Sequence, residues 1–358
     1  MLIAHRFFML PAMMQTTLSA DEILANGPYD APLIANGVRC HGGFVDGQYV
    51  SPRVVRRGPA IAAWQAALAA QGVPLIEVPR MLVPPQYPNA AQSVLLLREG
   101  VAAPVVRILT TIAIIEGFGA IIRDQRVPDL SACVRQPLDG TAAAHLAGGL
   151  FEAHARDEAG FRDEGGHKQM WEAARDVALN NPTVPPDVLM RLMTGRRGGP
   201  RQRLFPQLPA ALEELLTTMS NVLVIEVFAA DTFQWAETVL GDAEVSRRPA
   251  EAAALVGYIR ADETPHVEYL RTALSELRAC TFVGEGGVEL PGHEVIDALL
   301  HRTLSVLTVE RPKLQRAEAR ADIDAALGSH PDAAGLRARF HALEQDWSVP
   351  AWDGRLVG

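Results

Sequence analysis

Cysteine is scarce in this chain of 358 residues, which contains only Cys40, Cys133 and Cys280. The three are far apart and form no Cys-x-x-Cys pair, so the sequence predicts neither a disulfide framework nor a thiolate zinc site. No stretch of about 20 apolar residues is free of charged residues, and we therefore expect no membrane span. A cytoplasmic protein fits these absences best.

Features that bind nucleotides and nucleic acids are also missing. The chain has no phosphate loop followed by lysine, no Gly-x-Ser-x-Gly element and no Gly-x-Gly-x-x-Gly unit. Its net charge is −9, whereas binding to a phosphate backbone needs a basic surface. We expect no flavin, nucleotide or nucleic acid. The one basic cluster lies among glycines and prolines and is predicted to be a solvated loop: Arg196, Arg197, Arg201 and Arg203.

The start of the chain contains a short apolar run at residues 7–14 that resembles the core of a signal peptide. Pro11 interrupts this run. Ser19 and Glu22 have the spacing of a capping box, which opens a short helix. Retention in the cytoplasm is therefore preferred over export.

Helical patterns are what the sequence has in abundance, with 48% hydrophobic residues to fill a core. Before them, glycines in the segment 29–55 predict turns and a hairpin. We predict a mainly α protein with an N-terminal α+β cap at 1–100, a helix bundle at 101–280 and extra C-terminal helices at 281–358. Four segments have the length of bundle helices: 101–124, 140–180, 209–240 and 249–278.

Two short patterns each occur twice in the helical region, in the order A, B, A, B. Pattern A, Ile-Glu-x-Phe, contains Glu116 in the first half and Glu226 in the second. Pattern B, Asp-Glu-x-x-His, spans residues 163–167 and again 262–266. Two helix pairs related by internal pseudo-symmetry would produce this arrangement.

The pattern A glutamates are predicted to be buried, because each is the only charged residue in a long apolar segment. Glu116 is alone between positions 107 and 123, and Glu226 between positions 214 and 231. An unpaired buried carboxylate is strongly unfavourable. Each glutamate is therefore expected to be protonated, hydrogen-bonded, paired with an arginine or bound to a cation.

Pattern B places a glutamate and a histidine one helical turn apart, so that both can bind one ion. The preceding aspartate lies four residues before the histidine, where it can accept the second ring N–H and fix the tautomer. Four carboxylates and two histidines would neutralise two divalent ions and leave positions open for dioxygen or substrate. The pattern B residues are Asp163, Glu164, His167, Asp262, Glu263 and His266.

Carboxylates combined with imidazole favour iron or manganese over zinc. The order Glu, Glu-x-x-His, Glu, Glu-x-x-His resembles the ferritin-like di-metal carboxylate superfamily, and the Asp-Glu-x-x-His form is most similar to that of its bacterial multicomponent monooxygenases. The resemblance covers about half of the chain and implies a ferritin-like four-helix bundle with two iron ions, or Mn/Fe or Mn/Mn centres. It implies ligands at Glu116, Glu164, His167, Glu226, Glu263 and His266, supported by Asp163 and Asp262.

The two copies of pattern B depart from the family because they contain helix-weakening residues, Gly165-Gly166 in the first and Thr264-Pro265 in the second. One or both helices are expected to bend, or one motif forms a surface turn. A single helix over 140–180 would be unusually long, and a break at Gly160 or at Gly165-Gly166 would divide it.

His154 and Glu158 form a further pair that can bind metal, four residues apart on the second helix. On a straight helix Glu158 points away from Glu164, and it is predicted to be solvated or to lie outside the ligand set. A break in the helix would weaken that argument. His154 resembles the additional histidine ligand of arylamine oxygenases, which belong to the same superfamily.

We expect a di-iron oxidase or oxygenase that uses dioxygen to oxidise an organic small molecule, with a separate electron donor. The segments outside the bundle are expected to build a substrate pocket or a subunit interface such as that of a homodimer. Two alternatives stay open at this point: a ferritin-like protein for iron storage or detoxification, and a metal-free helical module for interaction with other proteins.

Overall fold

The computed structural model describes residues 17–195, 202–346 and 348–357. Within these ranges the protein is mainly helical, as predicted, with two small antiparallel sheets. The apolar run at 7–14 and three arginines of the basic cluster lie outside the described residues. The fourth, Arg203, is not simply solvated, because its Nε lies 2.9 Å from the carboxylate of buried Glu213.

The N-terminal region begins with the short helix α1 (Ala20–Leu24), which Ser19 and Glu22 open with the predicted capping box. A meander of three strands follows, in which two-residue turns at Asn36-Gly37 and Asp46-Gly47 have positive φ at both positions. Asn-Gly and Asp-Gly are the residues that such tight hairpins favour. The strands are β1 (Ala31–Ala35), β2 (Val38–Val45) and β3 (Gln48–Val50).

Helices α2 (Val54–Ala70) and α3 (Ala90–Arg98) complete the first hundred residues. The side chain of Asn89 caps α3 by accepting a hydrogen bond from the backbone N–H of Gln92. Helix α2 packs against the long helix Pro249–Arg278, so the N-terminal region lies against the central helices.

The central helices carry five of the six predicted metal ligands. The helix that carries Glu116 packs against both helices of the segment 140–180. The helix that carries Glu263 packs against the helices that carry His167 and Glu226. They are α4 (Ala103–Gly119), α5 (Leu130–Cys133), α6 (Phe151–Ala159), α7 (His167–Leu179), α8 (Val188–Gly195), α9 (Ala210–Leu240) and α10 (Pro249–Arg278). The pairs in contact include α4 with α6 and α7, and α10 with α7 and α9.

The segment 140–180 is not one helix. It starts with a 3-10 turn and a π-helical turn, continues as α6, and then breaks at Gly160, whose φ of +82° lies in the left-handed region. A tight turn at residues 161–164 and the pair Gly165-Gly166 separate α6 from α7. The expected break is thus present, and both glycine positions contribute to it.

Helix α10 continues without interruption through Thr264 and Pro265. Proline removes one backbone donor from the helix, and the neighbouring hydrogen bonds are enough to maintain it. Of the two weakened motifs, only the first departs from helical structure.

The C-terminal residues pack onto the central helices. Helix α11 contacts α9 and α10, α12 contacts α4, and α13 contacts α3. Two large hydrophobic clusters therefore contain residues from the N-terminal, central and C-terminal parts of the chain. The elements are β4 (Thr281–Val283), β5 (Glu289–Pro291), α11 (Gly292–Ser305), α12 (Arg311–Gly328) and α13 (Ala333–Ala342).

Two segments, Ala103–Asp124 and Ala210–Leu240, are long and apolar enough to cross a membrane if only length and composition are considered. Helices in the core of a soluble protein meet the same criteria. These two segments are the ones that carry Glu116 and Glu226.

Candidate metal centre

Glu116 on α4 and Glu226 on α9 reach the same enclosed space between the central helices. Their side chains are only 13% and 10% exposed, as their apolar segments predicted. The Oε2 atom of Glu116 lies 3.7 Å from Nδ1 of His167. The Oε1 atom of Glu226 lies 3.3 Å from Nε2 of His154.

Glu263 and His266 enter this space from α10, one helical turn apart, as pattern B predicted. Nδ1 of His266 lies 2.7 Å from Oε2 of Glu263, and Nδ1 of His167 lies 3.0 Å from Oε1 of the same glutamate. His167 is the first residue of α7 and is fully buried. The structure thus brings five of the six predicted ligands together.

Glu164 is the exception, and the prediction that it is a ligand is wrong. It lies in the turn between α6 and α7, where its carboxylate pairs with Arg39 at a distance of 3.0 Å and is 28% exposed. The turn is held against β2, because Gly165 donates a backbone hydrogen bond to the carbonyl of Arg39 and accepts one from His41. Since this turn is not helical, the i, i+3 geometry assumed for Glu164 and His167 does not exist.

Glu158 on α6 takes the position predicted for Glu164. Its Oε1 atom lies 3.4 Å from Nδ1 of His167, 3.3 Å from Nδ1 of His266 and 3.6 Å from Nε2 of His154. Its side chain is 3% exposed, so the prediction that it is solvated is wrong, and it lies among the candidate ligands as a possible extra one. That prediction depended on a straight helix, which ends at Ala159.

His154 joins the cluster from the preceding turn of α6. Its ring stacks on that of His266 with the centroids 3.9 Å apart. Nδ1 of His154 lies 3.0 Å from the hydroxyl of buried Tyr269, which leaves Nε2 directed towards Glu226 and Glu158. The additional histidine suggested by the sequence therefore lies where an additional ligand would be.

The seven side chains form two groups of potential ligand atoms, and in each group all these atoms lie within 4.8 Å of one another. Glu158 belongs to both groups and lies between them. The first group is Glu116, Glu158, His167 and Glu263, and the second is His154, Glu158, Glu226 and His266.

Two buried aspartates lie beside the histidines, but not in the predicted arrangement. Asp262 is four residues before His266, yet its Oδ2 atom lies 3.6 Å from Nε2 of His167 in the other half. Asp163 is exposed in the turn, so the prediction that it orients His167 is wrong. Asp157 instead lies 3.0 Å from Nε2 of His266. Each aspartate that precedes a ligand glutamate thus lies beside the histidine of the opposite half.

The N-terminal region holds both aspartates in place. The hydroxyl of Tyr49 donates a 2.7 Å hydrogen bond to Asp262, and Nε2 of His41 lies 3.1 Å from the same oxygen. Asp157 forms ion pairs with Arg53 and Arg57 at 2.6 and 2.9 Å: this buried carboxylate is the link between α2 and α6.

Sequence reasoning missed these supporting residues. One signal was present: Asp157-Glu158 is a second Asp-Glu pair, six residues before Asp163-Glu164. The pair was overlooked because Glu158 is nine residues before His167 rather than three. The turn between α6 and α7 adds the other six residues. No signal in the sequence connects Arg53 or His41 with the site.

The charges of the cluster favour two divalent cations. The inner glutamates carry four negative charges when ionised, and the charge of Asp157 is offset by Arg53 and Arg57. Burial, together with Glu116 and Glu226 and against the effect of His167, holds the pKa of Glu158 well above its usual range. A carboxylate that is unfavourable in this environment is stabilised by a bound cation.

The aspartates behave in the opposite way. Burial acts to raise the pKa of Asp262, but contacts with His167 and His41 lower it to about 2. Arg53 and Arg57 outweigh burial and hold the pKa of Asp157 well below its usual range. Both therefore stay ionised. Asp157 can accept the Nε2–H of His266, which leaves Nδ1 of that ring to bind metal, whereas Nε2 of His167 has no hydrogen-bond partner among the described residues.

Several inward-facing atoms satisfy no hydrogen bond within the described ranges. Nδ1 of His167 and Oε1 of Glu263 are 3.0 Å apart but lack hydrogen-bond geometry. Nε2 of His154 and Oε1 of Glu158 are likewise without a hydrogen-bond partner there. Buried polar atoms are normally satisfied, and all four atoms carry lone pairs that a metal ion binds. The residues present therefore fit a pair of cations.

Comparisons of the chain with protein-family models, with curated proteins and with solved structures found no match. What the site does must accordingly be argued from its own residues.

Proposed function

We propose that this protein is a ferritin-like di-iron oxidase or oxygenase, which uses dioxygen to oxidise an organic small molecule. The observation that carries the proposal is the pair of ligand groups that share Glu158. Four carboxylates and three imidazoles form a mixed oxygen and nitrogen donor set, which suits iron or manganese better than a structural zinc ion.

One ion would be held by Glu116, His167 and Glu263, the other by His154, Glu226 and His266, with Glu158 available to both. Bound iron would supply the redox chemistry and the affinity for dioxygen. The chain itself orients a ligand, since Asp157 would keep the proton on Nε2 of His266 and leave its Nδ1 free for metal.

A route for the organic molecule supports oxidation of a substrate over iron storage. A cleft of about 870 Å³ reaches Glu226 and Glu263 from the surface between α9 and α10. This volume lies within the range of sites for small molecules. Because the sequence has no nucleotide-binding motif, reducing equivalents would come from a separate donor protein.

The first test is the metal content of the full-length protein after anaerobic loading with Fe²⁺ and removal of excess iron. We expect two iron ions per chain by elemental analysis, and a rapid change in the visible absorption spectrum when oxygen is added. A protein that retains no iron or manganese would contradict the proposal and favour a metal-free module. Accumulation of many iron ions per chain in a large hollow oligomer would favour storage.

A further inference from the structure

The cleft beside the metal centre has walls formed by few elements. Helices α9 and α10 form one side, and the segments 77–80 and 355–357 form the other. The two segments are joined, because the backbone N–H of Glu77 donates a 2.7 Å hydrogen bond to the carbonyl of Leu356. These two segments thus enclose a space along α9 and α10.

The lower walls of the cleft are apolar. Leu223, Val227 and Ala230 follow one another at helical spacing on α9, on the same face as Glu226. Val267 lies on α10 one turn beyond Glu263, and Val78 lies opposite. A ligand that reaches the two glutamates therefore passes between hydrocarbon surfaces, which bind apolar groups.

The rim of the cleft is positively charged. Four arginines line it, against two glutamates other than the metal ligands. The ion pairs of these arginines with neighbouring acids are at or near the surface, where such pairs are weak. An incoming anion can therefore replace or join those partners. The arginines are Arg80, Arg260, Arg271 and Arg355, and the glutamates are Glu77 and Glu268.

Arg271 is the arginine best prepared to bind an anion. Its Nη2 atom donates a 2.9 Å hydrogen bond to Glu268, which also accepts one from Gln65. The Nε atom of Arg271 is buried and has no hydrogen-bond partner within the described parts of the chain. The side chain of Arg271 is 28% exposed, the least of the four arginines. Since a guanidinium presents donors in a fork that matches carboxylate or phosphate, its terminal nitrogens can donate to a head group in the cleft.

The position of Arg271 fixes the orientation of a bound molecule. It follows Glu263 by eight residues on the same helix, a separation of about 12 Å at 1.5 Å per residue. With the head group at Arg271, the apolar body extends past Val267 towards Glu263 and Glu226. The carbons presented to the metal ligands are then remote from the charged group.

We infer that the substrate is an anionic amphiphile, whose carboxylate or phosphate group binds Arg271 and whose apolar body lies along Val227 and Val267. That the bound molecule is a substrate rests on the proposed function, but the binding site itself does not require metal. The shared chemistry is an acidic head group on a hydrocarbon chain or ring.

The test is the binding of four eight-carbon probes to the full-length protein, measured by isothermal titration calorimetry below their micelle concentrations. The probes are octanoate, octyl phosphate, octanol and octylammonium. We expect one of the two anions to bind at least about tenfold more tightly than octanol, and octylammonium to bind most weakly, since charge-assisted hydrogen bonds form only with the anions. The preferred anion distinguishes carboxylate from phosphate.

Two variants locate the binding. Arg271→Gln should weaken binding of the preferred anion about tenfold, with little effect on octanol. Val227→Trp should weaken binding of all probes, because it fills the cleft. The matched control is Arg337→Gln, which removes an exposed, paired arginine of α13 outside the cleft. Circular dichroism establishes that each variant is folded.

Equal binding of octanoate, octyl phosphate and octanol would overturn the inference, as would equal weakening by the Arg271 and Arg337 variants. If Arg271→Gln does not fold, Val227→Trp decides the question. Weaker binding of the probes to that variant supports the site, and unchanged binding overturns the inference. The iron content is measured on the same samples. Normal iron binding without selective anion binding refutes only the substrate class, and selective anion binding without iron refutes only the di-iron proposal.

Discussion

Glu158 is the central residue of the candidate site, since its Oε1 atom faces the rings of His154, His167 and His266 at 3.6, 3.4 and 3.3 Å. Within the described residues this oxygen has no hydrogen-bond partner. A carboxylate placed between two ligand groups can bind both ions. Its loss should therefore affect the metal content more than the loss of any peripheral acid.

Glu158→Gln is expected to reduce the iron content from two ions per chain to one or none, because it removes a charge and a ligand shared by both groups. Glu164→Gln is the matched control. It changes a glutamate only six residues away that pairs with Arg39 at the surface, and should retain two ions. Elemental analysis after anaerobic loading gives both values. The opposite result, loss in the Glu164 variant alone, would restore the ligand set predicted from the sequence.

Glu276 is a buried acid outside the metal cluster. Its two carboxylate oxygens accept hydrogen bonds from the backbone N–H groups of Ala142 and Ala143 at 3.0 and 2.9 Å. Burial outweighs these bonds and raises the pKa of Glu276 from 4.5 to about 7. Between these two pH values the folded state keeps a proton that the unfolded state has released.

The contribution of Glu276 to stability should therefore be complete below pH 4.5, fall as the pH rises to about 7, and be constant above. The expected loss is about 3 kcal/mol, as the shift implies at 1.36 kcal/mol per pH unit. In Glu276→Gln this decline should be absent, so the difference in unfolding free energy between variant and wild type changes across the interval. Urea denaturation at several pH values measures it.

The exposed Glu214 on α9 provides the comparison for that series. Glu214→Gln should follow the wild-type pH profile. A difference between the Glu276 variant and wild type that is constant from pH 4.5 to 7 would show that burial does not raise this pKa.

At the scale of elements, the break between α6 and α7 determines which side chains reach the site. Gly160 has a φ of +82°, and a Cβ there would lie 2.3 Å from the carbonyl oxygen of Glu164. Gly166 is equally confined, because its Cβ would lie 2.4 Å from the backbone nitrogen of Gly160. The two chain segments meet at distances that only glycine permits.

Gly160→Ala is expected to destabilise the protein by about 1–3 kcal/mol, because it combines an unfavourable φ with a clash against backbone. It should also weaken iron binding, since α6 and α7 carry three ligands between them. Gly328→Ala at the C-terminal end of α12 is the control. A Cβ at that helical position meets no atom within 4 Å, and alanine favours the helix by roughly 0.5–1 kcal/mol. Thermal unfolding distinguishes the two; similar melting temperatures would contradict the argument.

The same break explains how far the sequence could predict the site. Glycine content and the length of segment 140–180 predicted an interruption. The number of residues that the turn inserts between glutamate and histidine depends on its docking against β2, which pairs Cys40 with Gly165. The local sequence does not indicate that long-range pairing. Glu164, which is nearer to His167 in the sequence, was therefore predicted as the ligand instead of Glu158.

At the scale of the whole molecule, the N-terminal region is part of the site and not merely a cover for it. Arg53 and Arg57 neutralise Asp157, while His41 and Tyr49 hold Asp262. All the ion-paired atoms of Asp157 and Arg57 are buried. Folding of residues 41–57 against the central helices therefore completes the support of both aspartates.

Arg57→Leu should destabilise the fold by about 3–5 kcal/mol, because it removes one of the two cations that pair with a buried carboxylate. Arg56→Leu changes the adjacent residue, which is exposed, and is expected to change stability by less than about 0.5 kcal/mol. Urea denaturation of both variants gives the comparison. Equal stability of the two variants would mean that Asp157 does not need the second arginine.

The sequence by itself determined the mainly helical fold, the tight hairpin turns, the capping box at Ser19 and the burial of Glu116 and Glu226. These follow from local propensity and from the pattern of apolar residues, which act over a few residues of chain. It also predicted that Glu263 and His266 lie side by side, because an uninterrupted helix places residues three apart one turn from each other.

Only the tertiary structure decided that Glu158 replaces Glu164, that each aspartate lies beside the histidine of the opposite half, and that Arg53 and Arg57 neutralise Asp157. These contacts join residues as far apart in sequence as His41 and Asp262. Their formation depends on how helices and strands pack, since packing sets the distances between charges that no local pattern can specify.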